Sequence, residues 1–370
     1  MKTYYFSSES VTDGHPDKMC DQIADAILDE ALRINPHAKM AVEATIKNDL
    51  VFIYGEQNLG KGFEQHSINY ESIVKNVLTD IGVDAHAFKV MTLVGDQSQD
   101  IHAKVVQDDE IAAGDQGIMF GYASNETNNY MPLAIDTAHK LSKRLSDYKH
   151  ENKRILADGK TQVTVLYEDD RPVKITTVLV SIQHSETYPI EQLRQDIRRD
   201  VIDVVIDSKW VDESTQYIIN PGGQFVIGGS FGDSGTTGRK IVVDSYGGMG
   251  RIGGGCFSSK DPSKVDRSAA YYCRYVAKNL VAAGLMDRCE VQVAYAIGLV
   301  KPLSIYINGF QTEKIPLEDI NRIVEKNFDF SVTNIIRELN LLQPIYRKTA
   351  NFGHFGREEF SWEQLITLKK

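Results

Sequence analysis

Downstream of Pro16, apolar residues recur at helical spacing: Met19, Ile23, Ala26 and Ile27 line one face, and Leu28 widens it. The period then changes. From Met40 to Ile46, Val42, Ala44 and Ile46 alternate with Glu43 and Thr45, which predicts a strand buried on one side. Lys47-Asn48-Asp49 reads as a turn, Val51 to Tyr54 as the returning strand, and Glu71 to Leu78 as a second helix. The same order follows Pro132. Leu133, Ala134, Thr137, Ala138 and Leu141 predict a helix, and Val163, Val165 and Tyr167 alternate with Gln162, Thr164 and Leu166. A turn at Glu168-Asp169-Asp170 leads into a strand over Val173 to Ile182 and a helix over Ile190 to Val205. After Pro262 come a stripe of Val265, Ala269, Tyr272, Val276 and Leu280, alternation through Val291, Val293 and Tyr295, a strand over Leu303 to Ile307, and a helix over Leu317 to Phe328. The three prolines stand 116 and 130 residues apart, and each is expected at the first position of its helix.

The units share a pattern without sharing residues. Each predicts a sheet with helices on one face, hence an α/β (α+β) chain of three similar subdomains, over about 1–110, 111–230 and 231–370, with segments free to interleave. The opposite sheet faces carry small and polar residues such as Glu43, Thr45, Gln162, Thr164 and Gln292. A second copy of the chain would cover them, and so would loops of an ordinary α+β protein. Composition narrows the class. No apolar run reaches the length of a membrane span, and the polar residues after Met1 do not make a signal peptide. Cys20, Cys256, Cys273 and Cys289 are scattered, which fits a reduced, cytoplasmic protein. A formal charge of -10 without a basic run excludes nucleic acid as the expected partner.

Candidate chemistry lies where glycine and cations converge. Thirteen of the 28 glycines fall between Gly222 and Gly255, and Arg239, Lys240, Lys260 and Lys264 lie within or just after that stretch. Glycine lets backbone N–H groups approach phosphate closely, so the combination points to a polyphosphate site. Gly232 to Lys240 approximates a P-loop, but no Ser or Thr follows Lys240, and Ile241-Val242-Val243 reads as a strand where a P-loop needs a helix. Pro16 at a helix start puts His15 at the N-cap, where free N–H groups favour an anion, and Asp17 in the first turn offers an oxygen to magnesium. Lys260 to Arg267 makes a second cationic helix start, with Asp266 as another oxygen ligand.

Gly14-His15-Pro16-Asp17-Lys18, Gly114-Asp115-Gln116-Gly117, Met119-Phe120-Gly121-Tyr122, Phe225-Val226-Ile227-Gly228-Gly229, Gly232 to Lys240 and Lys260 to Ser268 together resemble the S-adenosylmethionine synthetase family. Gln183-His184-Ser185, Val276-Ala277-Lys278-Asn279 and Gly353 to Glu358 extend the resemblance over nearly the whole chain. It implies three subdomains related by pseudo-threefold symmetry, ATP and L-methionine as substrates, magnesium and potassium as cofactors, and a homodimer with shared sites within a homotetramer. His15, Lys160, Arg239 and Lys260 would be catalytic. Asp158, Gly159, Gln224, Phe225, Asp233, Lys240 and Cys256 would join them around ATP. Glu56, Gln97, Asp233 and Lys264 would contact methionine, Asp17 and Asp266 would hold magnesium, and Glu43 potassium. The chain departs from the family in Gln224 for Arg, Cys256 for Ala, Ser259 for Gly and Gln99 for Pro, and its stretch from Asp100 to Gly114 is short.

Such a reaction needs no general base, because the sulfur of methionine carries no proton. It needs alignment of sulfur, C5′ and leaving oxygen, and stabilisation of charge growing on triphosphate. That matches a site rich in Lys and Arg without a nucleophile–base pair. Two other classes give different products: an ATP-dependent kinase yields ADP, and an idle ATP-binding relative yields nothing.

Overall fold

The computed structural model describes residues 2–63, 65–96, 106–107 and 110–369. Gln97, Gln99 and most of the short stretch after Asp100 lie outside them. In chain order the main elements are β1 (Thr3–Val11), α1 (Pro16–Ile34), β2 (Lys39–Lys47), β3 (Leu50–Asn58), α2 (Tyr70–Ile81) and β4 (Lys89–Asp96). There follow β5 (Gly117–Ser124), α3 (Leu133–Glu151), β6 (Ile155–Glu168), β7 (Arg171–His184), α4 (Ile190–Ile197) and β8 (Gln216–Ile219). The last part holds β9 (Gly235–Thr236), α5 (Val265–Ala282), β10 (Arg288–Tyr295), β11 (Ser304–Asn308), α6 (Leu317–Asn327) and α7 (Val332–Glu338).

Three sheets of three or four strands form among the described residues, in the orders β9-β2-β3-β4, β1-β6-β7-β8 and β11-β10-β5, beside a two-stranded ribbon over 106–107 and 110–111. Each is built on the hairpin of its own unit and borrows a strand from elsewhere in the chain. β1 joins the central sheet, β5 the third, and the two-residue β9 pairs with Thr45 and Ile46 at the edge of the first. This borrowing matters for function, because β9 delivers the glycine-rich segment to the first unit. The alternation sets which face is buried: Met40, Val42, Ala44 and Ile46 pack under the helices, while Glu43 and Thr45 face away opposite Tyr54 and Phe52. One hydrophobic core unites the first and third units, and a second lies in the central one.

The faces away from the helices differ from expectation. Besides the polar residues they carry large apolar ones: Tyr5, Met91, Leu93, Ile118 and Tyr306 are 45–70% exposed. Other corrections are local. Pro16 does open its helix, with His15 as N-cap, but Pro132 is itself an N-cap and α5 begins only after Lys264, beyond Pro262. The side chain of Asp261 accepts from the Ser263 N–H, so the chain makes a turn there before the helix starts. The helix from Ile190 to Val205 is continuous but widens into a π turn over Arg198–Ile202. Ile241–Asp244 is a helical turn, not a strand, closed by the Asp244 N–H donating to Lys240 O at 2.8 Å.

Candidate active site

Helix α1 is buried along nearly its whole length, and its polar face is a column of aspartates at every fourth residue: Asp17, Asp21, Asp25 and Asp29. An i, i+4 spacing puts all four on one side. Each accepts backbone N–H groups from a remote segment. Asp17 takes Thr236 N at 3.0 Å, Asp21 takes Gly238 N at 2.8 Å and Asp25 takes Ser259 N at 3.0 Å. Asp29 takes Tyr346 N and Arg347 N at 2.8 and 3.0 Å. The helix therefore docks both cationic segments, 236–240 and 259–267, side by side.

The first segment brings Lys240 Nζ to 2.6 Å from Asp17 Oδ2, with Arg239 at 3.6 Å from Asp17 Oδ1. Burial alone would raise the Asp17 carboxyl, but the Lys240 ammonium and the Thr236 amide bring it below its ordinary value. His15 accepts from the Asp17 N–H through Nδ1 at 3.2 Å. Burial, then the nearby Lys240 charge, pushes its imidazole down to about 3. His15 is thus neutral at pH 7, with Nδ1 as acceptor and Nε2–H free to donate to an anion.

In the second segment Lys260 Nζ lies 2.5 Å from Asp266 Oδ2, and Lys264, the N-cap of α5, pairs with buried Asp261. Burial opposes charge on Asp261, but Lys264 and Lys39 hold it down at about 2. Asp261 also accepts from Met40 N at 2.8 Å, which fixes the segment to β2. Ser259, at a positive φ of 79°, occupies a backbone conformation that favours glycine. Gly255 packs against Asp266, where an added Cβ would lie 2.4 Å from the carboxylate carbon.

The central unit supplies the third wall. Asp158 accepts from Gly229 N at 2.8 Å, and burial raises its carboxyl above the ordinary value. Gly159 lies in the same strand, and next to it Lys160 makes no salt bridge among the described residues. Lys160 pairs with Val11 at the end of β1, four residues before His15, which places it close to the start of α1. Gln183 donates to Val226 O at 3.0 Å, and His184 Nε2 accepts from Phe225 N at 3.0 Å, so the Gln-His-Ser motif holds the Phe225 segment. Phe225 is half-buried and Gln224 exposed. Cys256 sits beside Gly238, and burial pushes its thiol up to about 11, keeping it protonated.

The residues assigned to methionine are less gathered. Glu56 and Asp233 are exposed, and no polar contact joins them to each other or to Lys264 among the described residues. Glu43 is half-buried on the open sheet face and accepts from Tyr54 OH at 3.3 Å. No three His, Cys, Asp or Glu side chains converge as a metal cage among the described residues. Asp17 and Asp266 are single carboxylates facing cations, and carboxylates placed singly can serve a magnesium ion only where phosphate and water supply its remaining ligands. All four cysteines are unpaired, and no described helix is long and apolar enough to cross a membrane.

Sequence reasoning missed Asp21, Asp25 and Asp244, and it quoted Lys18 and Arg267 within motifs without giving them a role; Arg267 pairs with Asp25 at 2.7 Å. The signal was present in part: four aspartates at i, i+4 spacing form a continuous row along a helix that also carries a broad apolar stripe.

Three family models match in succession: the S-adenosylmethionine synthetase N-terminal domain over 3–103, the central domain over 110–225 and the C-terminal domain over 227–364. The S-adenosylmethionine synthase of Clostridium tetani is 48% identical across 99% of this chain and 98% of its own. That of Roseiflexus castenholzii is 49% identical across 97% and 94%, and that of Sorangium cellulosum 47% across 98% and 88%. With the three units in order along one chain and the motifs gathered around the N-terminus of α1, this protein belongs to the S-adenosylmethionine synthetase family.

Proposed function

We propose that the segments docked on α1 bind ATP as its magnesium complex and hold it for attack by the sulfur of methionine on C5′, the reaction of S-adenosylmethionine synthetases. The observation that carries this reading is the pairing of charges. Asp17 with Lys240 and Asp266 with Lys260 are cation–carboxylate pairs in which each member suits a part of the ligand. The ammonium groups suit triphosphate oxygens, and the carboxylates suit magnesium, so the ligand can exchange both partners at once without leaving a buried charge alone. Magnesium, when bound, would offset the charge that builds on the departing triphosphate.

His15 and Lys160 approach the phosphates from the other side, with the neutral imidazole donating through Nε2–H. Arg239, Lys240 and Lys260 stabilise the leaving group, and no side chain is asked to remove a proton. Asp158, Gly159, Gln224, Phe225, Asp233 and Cys256 would surround the nucleoside, and Glu56, Gln97, Asp233 and Lys264 the amino acid. Glu43 is the candidate potassium ligand. Triphosphate would then be hydrolysed to pyrophosphate and phosphate by the same cations. The apolar residues on the open sheet faces support a twofold homodimer, since exposed apolar surface of this kind marks contact sites. Unpaired cysteines support a cytoplasmic setting.

A magnesium titration tests the ligand assignment. Asp266→Asn leaves the Lys260 segment in place but weakens one carboxylate ligand. The magnesium concentration for half-maximal synthesis should rise at least about tenfold at saturating ATP and methionine. An unchanged magnesium requirement would remove Asp266 from the metal site.

A further inference from the structure

Behind the phosphate-facing side of α1 lies a charged cluster that touches no substrate-facing surface. Lys18 Nζ donates to Asp21 Oδ2 at 3.0 Å and to Asp244 Oδ1, and all three side chains are at most 1% exposed. Burial opposes the charge of Lys18, but its two carboxylate partners hold it well above the ordinary range. The two partners reach different ends of one segment. Asp21 Oδ1 accepts the Gly238 N–H, one residue before Arg239. Asp244 closes the turn that opens at Lys240, and its own O accepts from His354 N at 3.0 Å. One ammonium group therefore fastens both ends of the stretch that carries Arg239 and Lys240.

We infer that Asp21, clamped by Lys18 and Asp244, is a positioning residue that sets Arg239 and Lys240 relative to Asp17; this rests on the reading of those three as ligands of the triphosphate and magnesium. The spacing explains how. Four residues of helix advance about 6.0 Å, and two residues of extended chain span about 6.6 Å. Asp17 and Asp21, four residues apart, thus match Thr236 and Gly238, two residues apart, and the Asp21 contact extends to Gly238 the register that pairing with β2 sets at Gly235 and Thr236. Thr236 and Thr237 are also tied to β2, through strand pairing and through the Thr237 N–H donating to Ala44 O at 3.0 Å, so losing the Asp21 contact frees the chain from Gly238 onward, where Arg239 and Lys240 lie. A cation misplaced by about 1 Å costs on the order of a hundredfold in rate, and far less in ground-state binding.

Three variants test this: Asp21→Ala, Asp21→Asn, and the double variant Lys18→Met with Asp244→Asn. The readouts are kcat and KM for methionine and ATP in S-adenosylmethionine formation, hydrolysis of added tripolyphosphate, and the unfolding midpoint. Asp21→Ala should lower kcat by about ten- to a hundredfold, with KM for methionine within about threefold of wild type. Asp21→Asn, which keeps an oxygen for the Gly238 N–H, should recover most of that loss. The double variant removes a buried cation together with one of its anions, so it should unfold close to wild type yet still lose at least about tenfold in kcat and in tripolyphosphate hydrolysis. A double variant that folds and keeps kcat within threefold would overturn the inference, and it decides the matter even where Asp21→Ala does not fold. A wild-type protein that forms no S-adenosylmethionine would instead sink the reading of the site itself.

Discussion

Lys260→Ala is expected to lower kcat about a hundredfold while KM for methionine stays within about threefold. The Lys260 ammonium faces Asp266 across 2.5 Å and is one-fifth exposed, so it can turn to an incoming phosphate without moving the backbone. Its backbone is fixed by a bridge to Ala41 and by Arg267, which donates to Lys260 O at 3.2 Å. A cation fixed in this way acts mainly on charge that develops as triphosphate leaves. Removing one such contact costs on the order of 3 kcal/mol, close to a hundredfold in rate. Steady-state kinetics on the purified variant, with its unfolding midpoint as control, check this. A kcat within a fewfold of wild type would reduce Lys260 to a surface charge.

The other large effect is read by mixing two dead variants, which decides whether one site draws on two chains. His15→Ala and Lys264→Ala should each be inactive. His15 caps the first helix and Lys264 caps the first helix of the third unit, so they mark two different walls of the site. If a site draws them from different chains of a twofold dimer, a mixed dimer has one site with both lesions and one intact. Random exchange makes half of the dimers mixed, so about a quarter of wild-type activity should return. If both come from one chain, both sites carry a lesion and none returns. Pairwise mixing of Asp17, Glu56, Asp115 and Lys260 variants extends the test to other walls. Failure of every pair, with subunit exchange verified, would show that each chain holds a complete site.

Local pattern carried much of the fold. The hairpins, the principal helices and the cap at His15 follow from alternation, stripe spacing and Pro16, because each is decided by residues within a few positions. What was not legible depends on distant partners. Ile241-Val242-Val243 is β-branched and reads as a strand, yet Asp244 is held by Lys18, 226 residues away, and the chain there closes into a helical turn. The delay of α5 beyond Pro262 comes from the side chain of Asp261 turning onto Ser263, while its other oxygen takes Met40 N. The borrowed strands β1, β5 and β9 are similarly invisible to any window of neighbouring residues. At the site, motif resemblance named Asp17, Lys240, Lys260 and Asp266, and the fold places these in two facing pairs. It gave no role to Asp21, Asp25 or Lys18, whose partners are backbone amides and charges in distant segments.

The central claim is that the cations around Asp17 release triphosphate from C5′ and do not transfer a phosphoryl group. The direct measurement is a complete product inventory after incubating the protein with ATP, methionine, magnesium and potassium. The expected products are S-adenosylmethionine, pyrophosphate and phosphate in equal amounts, none of them without magnesium. ADP as the main product, formed with or without methionine, would contradict the claim.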